Sequence, residues 1–456
     1  MAAREREFSL GTSIVLTIGS AVLWGVAHLA TGRRRTGLAL MTVYAVLLAS
    51  VLTMVTVLGS HLLSLAVQPG WLTALTVTLI AVAVAWSTVI LWSYALVRPA
   101  VGRRATTILA VVLCAAVVAP TAYAARLAYV SRDVVTSLFA TNTAPIVTQD
   151  PWNGADRFTI LLVGADSAPN RPGVRTDSMT VATVDIATGA TTLLGLPRNL
   201  QNVPMPSGPA RERFPYGFTG EPPYTPGLLN EVFQYGEDYP EVVPGARRDA
   251  HGSTLLKQTV SGILGIPVTY YAMVDMHGFA QIIDAMGGVK VTIKEPIVYG
   301  KYREGLLAAG TRKLTGEQAL WYGRSRTDSD DYVRMGRQKC LLNAVAKQAD
   351  PMTVLNSFES LATATKRAIS TDIPQNLLPA LVDLAQKVKD TRIRSLSFVP
   401  PLISTVYPDW TLIRRKVAQA IADRPENKTA TAPGERPEAT LTPSTDRPIT
   451  LDESCG

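Results

Sequence analysis

Hydrophobic residues are grouped unevenly along this chain, with the longest apolar stretches in its first third. No charged residue occurs between Thr36 and Val97, and residues 106–125 are uncharged as well. Four stretches approach or exceed the roughly 20 residues that a helix needs to cross the hydrocarbon core of a bilayer. They are Phe8–Ala30, Gly37–Leu58, Trp71–Leu96 and Thr107–Ala128. The pattern predicts an α-helical transmembrane region over residues 1–132.

The arginines between these stretches predict their orientation. Three arginines at 33–35 follow the first stretch and three more at 98–104 follow the third, whereas the connection at 68–70 is uncharged. Positively charged loops favour the cytoplasm, so the fourth stretch runs outward and the chain after about Ser131 is extracytoplasmic. Either all four stretches cross, or the first is re-entrant or interfacial and three cross fully. Both alternatives predict a multi-pass protein of the cytoplasmic membrane.

Short apolar runs alternate with helical patterns in the second half of the chain. Phe158–Val163 and Thr191–Leu196 have the length and composition of strands, and several helical patterns follow. Strands alternating with helices predict an α/β sandwich over residues 157–422. The Pro- and Gly-rich stretch 204–252 shows little periodicity and has the length of a lid or an excursion.

Two segments flank this predicted domain. Residues 133–156 are predicted to form a linker. Residues 423–456 form a Pro- and Thr-rich tail that ends near Cys455 and has no apolar periodicity, which predicts disorder.

The positive charge of the chain is concentrated in its first third. The 456 residues carry a net charge of +8. Residues 1–135 hold ten arginines and three acidic residues, which leaves the remainder of the chain close to neutral. Because the positive charge flanks apolar stretches, it indicates membrane topology and argues against nucleic-acid binding.

Several common catalytic patterns are missing from the sequence. It contains four histidines and three cysteines, and no HExxH, CxxC, GxSxG or Walker A spacing. Zinc and Ser-His-Asp chemistry are therefore not predicted. Carboxylates and arginines remain as the groups that can carry the chemistry.

Asp and Arg side chains are concentrated at predicted strand ends and around one helix. They are Asp166, Arg175, Asp177, Arg198, Arg324, Arg326, Asp331, Arg334, Arg337 and Gln338. Open α/β sheets bind ligands at strand ends, and guanidinium groups match phosphate oxygens. Two carboxylates from adjacent loops suit Mg²⁺. The alternative is a set of surface salt bridges, each contributing about 0–1 kcal/mol.

The same segments resemble the LytR–CpsA–Psr family. The matching motifs are ILLVGAD, RTDSM, LPRN, GLLN, VDMHGFAQIIDAMGGVKV and GTRKLTGEQALWYGRSR followed by DYVRMGRQ. The multi-span beginning, the cysteine after RQK and the terminal cysteine resemble actinobacterial members. The family pattern usually has Asp where this chain has Asn199, and often Lys where it has Leu228.

This resemblance implies a three-layer α/β/α sandwich and a phosphotransferase. The donor would be a polyprenyl-pyrophosphate-linked glycan, and the acceptor would be peptidoglycan, at the 6-OH of muramic acid. The transferred polymer would be arabinogalactan or a related glycan. The lipid would enter an apolar tunnel between sheet and helices.

The resemblance also implies a role for each site residue. The catalytic group would be Arg175, Asp177, Arg198, Arg324 and Arg326. Arg334, Arg337, Gln338 and Asn230 would bind substrate. Asp166 and Asp177 would hold Mg²⁺, with Mn²⁺ as an alternative, and Cys340 and Cys455 would form a disulfide. A hydrolase that gives the same phosphorus to water and a non-catalytic binder of lipid-linked glycans remain alternatives.

Overall fold

The computed structural model divides the chain into two compact units, Met1–Thr136 and Ser137–Gly456. The structure describes residues 8–58, 62–99, 101–140, 150–166, 173–221, 227–300, 302–327, 329–348, 358–389, 391–423, 447–451 and 455. Most of the predicted tail, 424–446, and residues 141–149 of the predicted linker lie outside the described residues.

The first unit is helical. Its helices are α1 (Leu10–Val22), α2 (Val26–Ala30), α3 (Arg34–Leu58), α4 (Leu62–Leu65), α5 (Pro69–Leu96) and α6 (Arg103–Leu138). Among the described residues, α3, α5 and α6 are the helices long and apolar enough to cross a membrane. Helix α6 continues beyond residue 132, where the transmembrane region was predicted to end.

The first apolar stretch does not form one continuous helix. It divides between α1 and α2, where Gly25 has a φ of +94°. A Cβ atom at Gly25 would meet the main chain of Gly37, so glycine permits this close approach. With 13 residues, α1 is about 20 Å long, shorter than the roughly 30 Å hydrocarbon core.

The second unit contains a seven-stranded mixed sheet and two small antiparallel sheets of two strands each. Its strands are β1 (Arg157–Asp166), β2 (Arg175–Asp185), β3 (Thr191–Leu196), β4 (Tyr270–Asp275), β5 (Val289–Ile293), β6 (Ile297–Tyr299), β7 (Gly305–Leu307), β8 (Gly310–Leu314), β9 (Ile369–Thr371), β10 (Arg394–Ser397) and β11 (Ile449–Thr450). The seven-stranded sheet has the order β11-β10-β3-β2-β1-β4-β9, and the small sheets pair β5 with β8 and β6 with β7. Strand β4 runs parallel to β1 and β10 runs parallel to β3, whereas the other neighbours are antiparallel.

Helices cover both faces of this sheet. They are α7 (Pro209–Arg213), α8 (Val232–Asp238), α9 (His251–Leu264), α10 (Met276–Ala285), α11 (Gly316–Arg324), α12 (Asp331–Gln348), α13 (Phe358–Ala368), α14 (Leu378–Lys389) and α15 (Trp410–Ala422). Alternate side chains of a strand point to opposite faces. Leu161 and Val163 belong to the core shared with α8, α9 and α15, while Leu162 lines a cavity bounded by α10, α11 and α12. The predicted three-layer α/β/α sandwich is confirmed.

The stretch 204–252 differs from its prediction as a lid or an excursion. It contributes α7, α8 and several residues of the main core. Phe214, Phe218 and Tyr235 pack edge to face, with ring centroids 5.1–5.3 Å apart. Helices of five and seven residues are too short to produce a periodic signal, which explains the wrong prediction.

The end of the tail also has structure where disorder was predicted. Strand β11 pairs with β10 as an edge strand, and the Leu451 amide donates to the Ile393 carbonyl at 3.1 Å. In the structure a disulfide joins Cys455 to Cys340 on α12. The described part of the tail therefore belongs to the second unit.

Candidate phosphate-binding site

Two carboxylates lie side by side where β1 ends and β2 begins. Asp166 is the last residue of β1 and is opposite Arg175, the first residue of β2. The register shifts at this point: Gly164 pairs with Ser178 and Ala165 pairs with Thr176, which leaves Asp177 without an opposite residue. Such a bulge redirects a side chain at a strand end. Both carboxylates are buried and line one open pocket.

Arg198 joins strand β2 to helix α12. Its Nη1 donates to Asp177 Oδ1 at 2.6 Å, and its Nε donates to Asp331 Oδ2 at 3.0 Å. Burial alone would lower the pKa of Arg198, but the two carboxylates outweigh burial and raise the pKa. Arg198 therefore stays charged while it holds both acids.

Asp331, the first residue of α12, is the common partner of three arginines. Its Oδ1 lies 3.1 Å from Arg326 Nε and 3.5 Å from Arg334 Nε, in addition to the contact with Arg198. Burial would raise the pKa of this carboxyl, but the hydrogen bond from Arg198 and the three positive charges lower it overall. Asp331 therefore stays ionised and holds the arginines together.

Arg334 is a buried arginine that contacts both Asp177 and Asp331. Its side chain lies within the fold, with the residue only 1% exposed, and Nη2 donates to the main-chain oxygen of Asp177 at 3.1 Å. Burial lowers its pKa to about 10, so the guanidinium remains protonated at neutral pH. Arg334 lies about one helical turn after Asp331, so the two side chains are neighbours on one face of α12.

The end of helix α11 supplies two further arginines. The helix begins with a capping box, in which the Thr315 hydroxyl accepts from the main-chain N–H of Gln318, and it ends at Arg324. Arg324 Nη2 donates to Asp166 Oδ2 at 3.1 Å, while Arg326 is half-exposed at the pocket rim. Since Arg175 is also exposed on this pocket, the site presents guanidinium groups to solvent.

The resulting pocket has a volume of about 310 Å³. It is lined by Asp166, Arg175, Asp177, Arg198, Gly300, Trp321, Arg324, Ser325, Arg326, Thr327 and Arg334. Five arginines and three carboxylates, counting Asp331 behind the pocket, meet in this group. Two positive charges therefore remain within the group, which suits an anionic ligand rich in oxygen atoms.

An apolar cavity of about 190 Å³ lies next to this pocket. Its walls come from β1, β2 and β4 on one side and from α10, α11 and α12 on the other. Leu162, Phe279 and Leu341 are among its lining residues, and Arg324 lines both this cavity and the charged pocket. A ligand with a charged head and an apolar tail matches this arrangement.

Three predicted substrate-binding residues lie outside the charged pocket. Arg337 Nη2 donates to the Ser325 carbonyl at 3.0 Å and lines a different cavity, beside Cys340. Gln338 donates to the Gly323 carbonyl at 3.0 Å and lines the apolar cavity. Both hold the chain around Arg324 and Arg326. The prediction that they line one site with Arg334 differs from the structure because the helix turns them toward the α11 segment.

Asn230 is buried behind the pocket. Its main-chain N–H donates to the Arg198 carbonyl at 3.1 Å, and its main-chain oxygen accepts from the Thr176 hydroxyl at 3.3 Å. It thus contacts both Thr176, which precedes Asp177, and Arg198, which pairs with Asp177. Its side-chain oxygen is buried and has no hydrogen-bond partner among the residues that the structure describes.

The donor set for a metal consists of the two buried carboxylates. No group of three or more His, Cys, Asp or Glu residues suited to a metal occurs in the part of the chain that the structure describes. Asp166 and Asp177 line the same pocket and are each paired with an arginine. Mg²⁺ is commonly bound by one or two carboxylates together with substrate phosphates, so this pair fits a metal that arrives with its phosphate ligand.

The sequence motifs did not indicate every residue that lines the pocket. Trp321 and Gly300 line it, although neither was predicted as a site residue. Trp321 lies one helical turn before Arg324, a spacing that places both on one face of α11. The spacing between Trp321 and Arg324 could therefore have identified Trp321 as a pocket residue.

Comparison with known proteins identifies the family of this chain. The profile of the LytR_cpsA_psr family matches residues 129–404, and this chain belongs to that family. Biofilm regulatory protein A of Streptococcus mutans is 26% identical over 252 residues, which is 52% of this chain and 56% of that protein. A Bacillus mycoides protein named polyisoprenyl-teichoic acid–peptidoglycan teichoic acid transferase TagU is 26% identical over 224 residues, covering 49% of this chain and 62% of that protein.

Solved structures resemble part of this chain at lower sequence identity. The crystal structure of B. subtilis TagV is 23% identical, with a TM-score of 0.41, and covers 58% of this chain and 96% of that chain. The alignments with the two curated relatives span 56% and 62% of their lengths.

Proposed function

We propose that this protein transfers a phosphate-linked glycopolymer from a polyprenyl diphosphate carrier to a hydroxyl of peptidoglycan. The observation that carries this proposal is the meeting of two cavities at Arg324, one charged and one apolar. A polyprenyl diphosphate likewise has a charged diphosphate group joined to an apolar chain. The diphosphate would lie among the arginines, and the prenyl chain would enter the cavity between the sheet and α10–α12.

The proposed step is a displacement at the glycan-side phosphorus. The acceptor hydroxyl, in our proposal the 6-OH of muramic acid, forms a new P–O bond while the bond to the bridging oxygen breaks. Polyprenyl phosphate leaves, and the hydroxyl proton passes to Asp166 or Asp177. The diphosphate bond supplies the free energy, so no nucleotide is required.

The chain's own residues would position the reacting groups. Arg324 and Arg326 would neutralise the charge that develops on the phosphate oxygens, and Arg198 and Arg334 would hold Asp177 in place. Asp166 and Asp177 would hold Mg²⁺ or Mn²⁺, which supplies further neutralisation of the phosphate charge when bound. Buried, pre-oriented charges act without reorganising during the reaction.

We also propose on which side of the membrane the second unit lies and which polymer is transferred. A multi-pass membrane region with arginine-rich cytoplasmic loops would place the second unit outside the cytoplasm, where both the lipid-linked donor and the peptidoglycan acceptor are present. The named relative TagU is a teichoic acid transferase. For this chain we propose an anionic or neutral wall glycan, with arabinogalactan as the first polymer to test.

Product analysis tests the proposal. The purified full chain is incubated with a lipid-linked glycan, with and without peptidoglycan. Transfer predicts glycan covalently attached to peptidoglycan and release of polyprenyl phosphate. Free glycan phosphate in equal amount with and without acceptor would identify a hydrolase. Unchanged donor would leave only a binding role and contradict the proposal.

A further inference from the structure

Two aromatic rings connect the β6–β7 hairpin to the charged pocket. The Tyr299 ring, at the end of β6, stacks on the Trp321 ring with centroids 5.4 Å apart and an angle of 26° between the planes. Gly305 is opposite Tyr299 in the hairpin. A Cβ atom at Gly305 would lie 2.2 Å from the Tyr299 ring. Glycine therefore lets the tyrosine ring lie against the hairpin and face Trp321.

The Trp321 ring in turn contacts the Arg324 side chain. The Arg324 guanidinium carbon lies 5.9 Å from the centroid of the Trp321 ring, a distance at which a cation is attracted to the ring face. The Nη2 of the same guanidinium donates to Asp166. Arg324 is therefore held between a carboxylate and an aromatic ring.

A hydrogen bond ties the same segment to the hairpin. The Ser325 hydroxyl donates to the Val298 carbonyl at 2.6 Å, and Ser325 is buried. From the opposite side, Arg337 donates to the Ser325 carbonyl. The residue between Arg324 and Arg326 is thus fixed by the hairpin and by α12 together.

We propose that the β6–β7 hairpin positions Arg324 for its diphosphate ligand through the stacked rings of Tyr299 and Trp321. Tyr299 and Trp321 are positioning residues: they act through Arg324. The inference rests on the proposed function for the identity of the ligand. It adds a role for a hairpin whose own residues carry none of the predicted site chemistry.

The experiment measures the affinity of the full chain, in detergent with Mg²⁺, for farnesyl diphosphate by calorimetry. Tyr299→Ala removes the ring, and Gly305→Ala displaces it without removing it. Each is expected to weaken binding about fivefold to tenfold, because loss of the stacked Tyr299 ring would disturb the cation–π contact between Trp321 and Arg324. Tyr299→Phe keeps the ring and is expected to bind within about twofold of the wild type. Tyr302→Ala, which changes a residue 79% exposed on the same hairpin, is the matched control and is expected to leave the affinity unchanged.

A double-mutant cycle separates positioning from general damage. If the rings act through Arg324, Tyr299→Ala should cost no further affinity in an Arg324→Ala background. Equal losses in both backgrounds would overturn the inference, as would wild-type affinity in Tyr299→Ala or an equal loss in Tyr302→Ala. Should Tyr299→Ala fail to fold, as judged by circular dichroism, Gly305→Ala and Trp321→Phe supply the same comparison.

This inference and the proposed function fail in different ways. Normal glycan transfer by the wild type with unaltered binding in the ring variants would overturn the inference alone. If the affinities of the wild type and the variants for farnesyl diphosphate differ as predicted but the wild type transfers no glycan, the proposed function alone would be overturned. A wild type that binds no farnesyl diphosphate would overturn both.

Discussion

The Arg324 guanidinium and the Asp166 carboxylate meet at 3.1 Å although 158 positions separate them in the sequence. The contact joins the end of helix α11 to the end of strand β1. Asp166 is buried, so loss of the Arg324 contact would weaken the compensation of its negative charge inside the fold. The charged pocket therefore depends on the packing of α11 and α12 against the sheet.

Divalent metal is expected to be required for transfer. Chelation with EDTA should stop the reaction, and added Mg²⁺ or Mn²⁺ should restore it, because two carboxylates and a diphosphate together form the oxygen ligands that these ions prefer. Asp166→Asn should raise the Mg²⁺ concentration at half-maximal rate by about tenfold or more. Asp249→Asn, at an exposed acid outside the pocket, is the control. Full activity after exhaustive chelation would contradict the metal proposal.

Lys339 is expected to make the stability depend on pH. It is 7% exposed, and its Nζ donates to the hydroxyls of Ser395 and Ser397. Burial lowers its pKa from 10.5 to about 8. Above pH 8 the unfolded chain therefore binds more protons at this site than the folded chain does, so the contribution of Lys339 to the unfolding free energy rises with pH up to about 10.5.

The comparison with Lys339→Met isolates this effect. Below pH 8 the full burial penalty is present, so the variant should be the more stable protein. Its advantage should shrink by about 2 kcal/mol between pH 8 and pH 9.5, measured by urea unfolding. An advantage that stays constant over this range would show that Lys339 titrates normally.

The disulfide between Cys340 and Cys455 is expected to stabilise the second unit. The two cysteines are 115 positions apart, and closing such a loop contributes about 4–5 kcal/mol in the chain-entropy model. Cys340→Ser should therefore lower the melting temperature under non-reducing conditions, whereas Cys114→Ser, at a free cysteine, should not through this mechanism. Peptide mapping without reductant that finds free thiols at both positions would contradict the pairing.

The motifs at strand ends predicted which residues line the charged pocket, because strand length and turn residues are local properties. Asp166, Asp177 and Arg198 follow or begin apolar strands, and the structure brings them together. The bulge at Asp177 was not predictable in the same way. It depends on how β1 and β2 pair, which single-strand patterns do not encode.

Helix α12 shows where spacing alone is insufficient. Arg334, Arg337 and Gln338 share a helical face by spacing, but only Arg334 reaches the pocket. The approach of α11 divides that face, so Arg337 and Gln338 bind the carbonyls of Ser325 and Gly323 instead. The direction of a partner helix is a tertiary property, and neither helix's own periodicity contains it.

The transfer rates of Arg324→Ala and Arg326→Ala, with a lipid-linked glycan and peptidoglycan as substrates, test the central claim most directly. Arg312→Ala, at an exposed arginine of β8, serves as the matched control. We predict at least about a 100-fold loss of rate in both pocket variants with circular dichroism unchanged, and normal transfer in the control. Normal transfer by both pocket variants would show that their guanidinium groups do not act on the diphosphate.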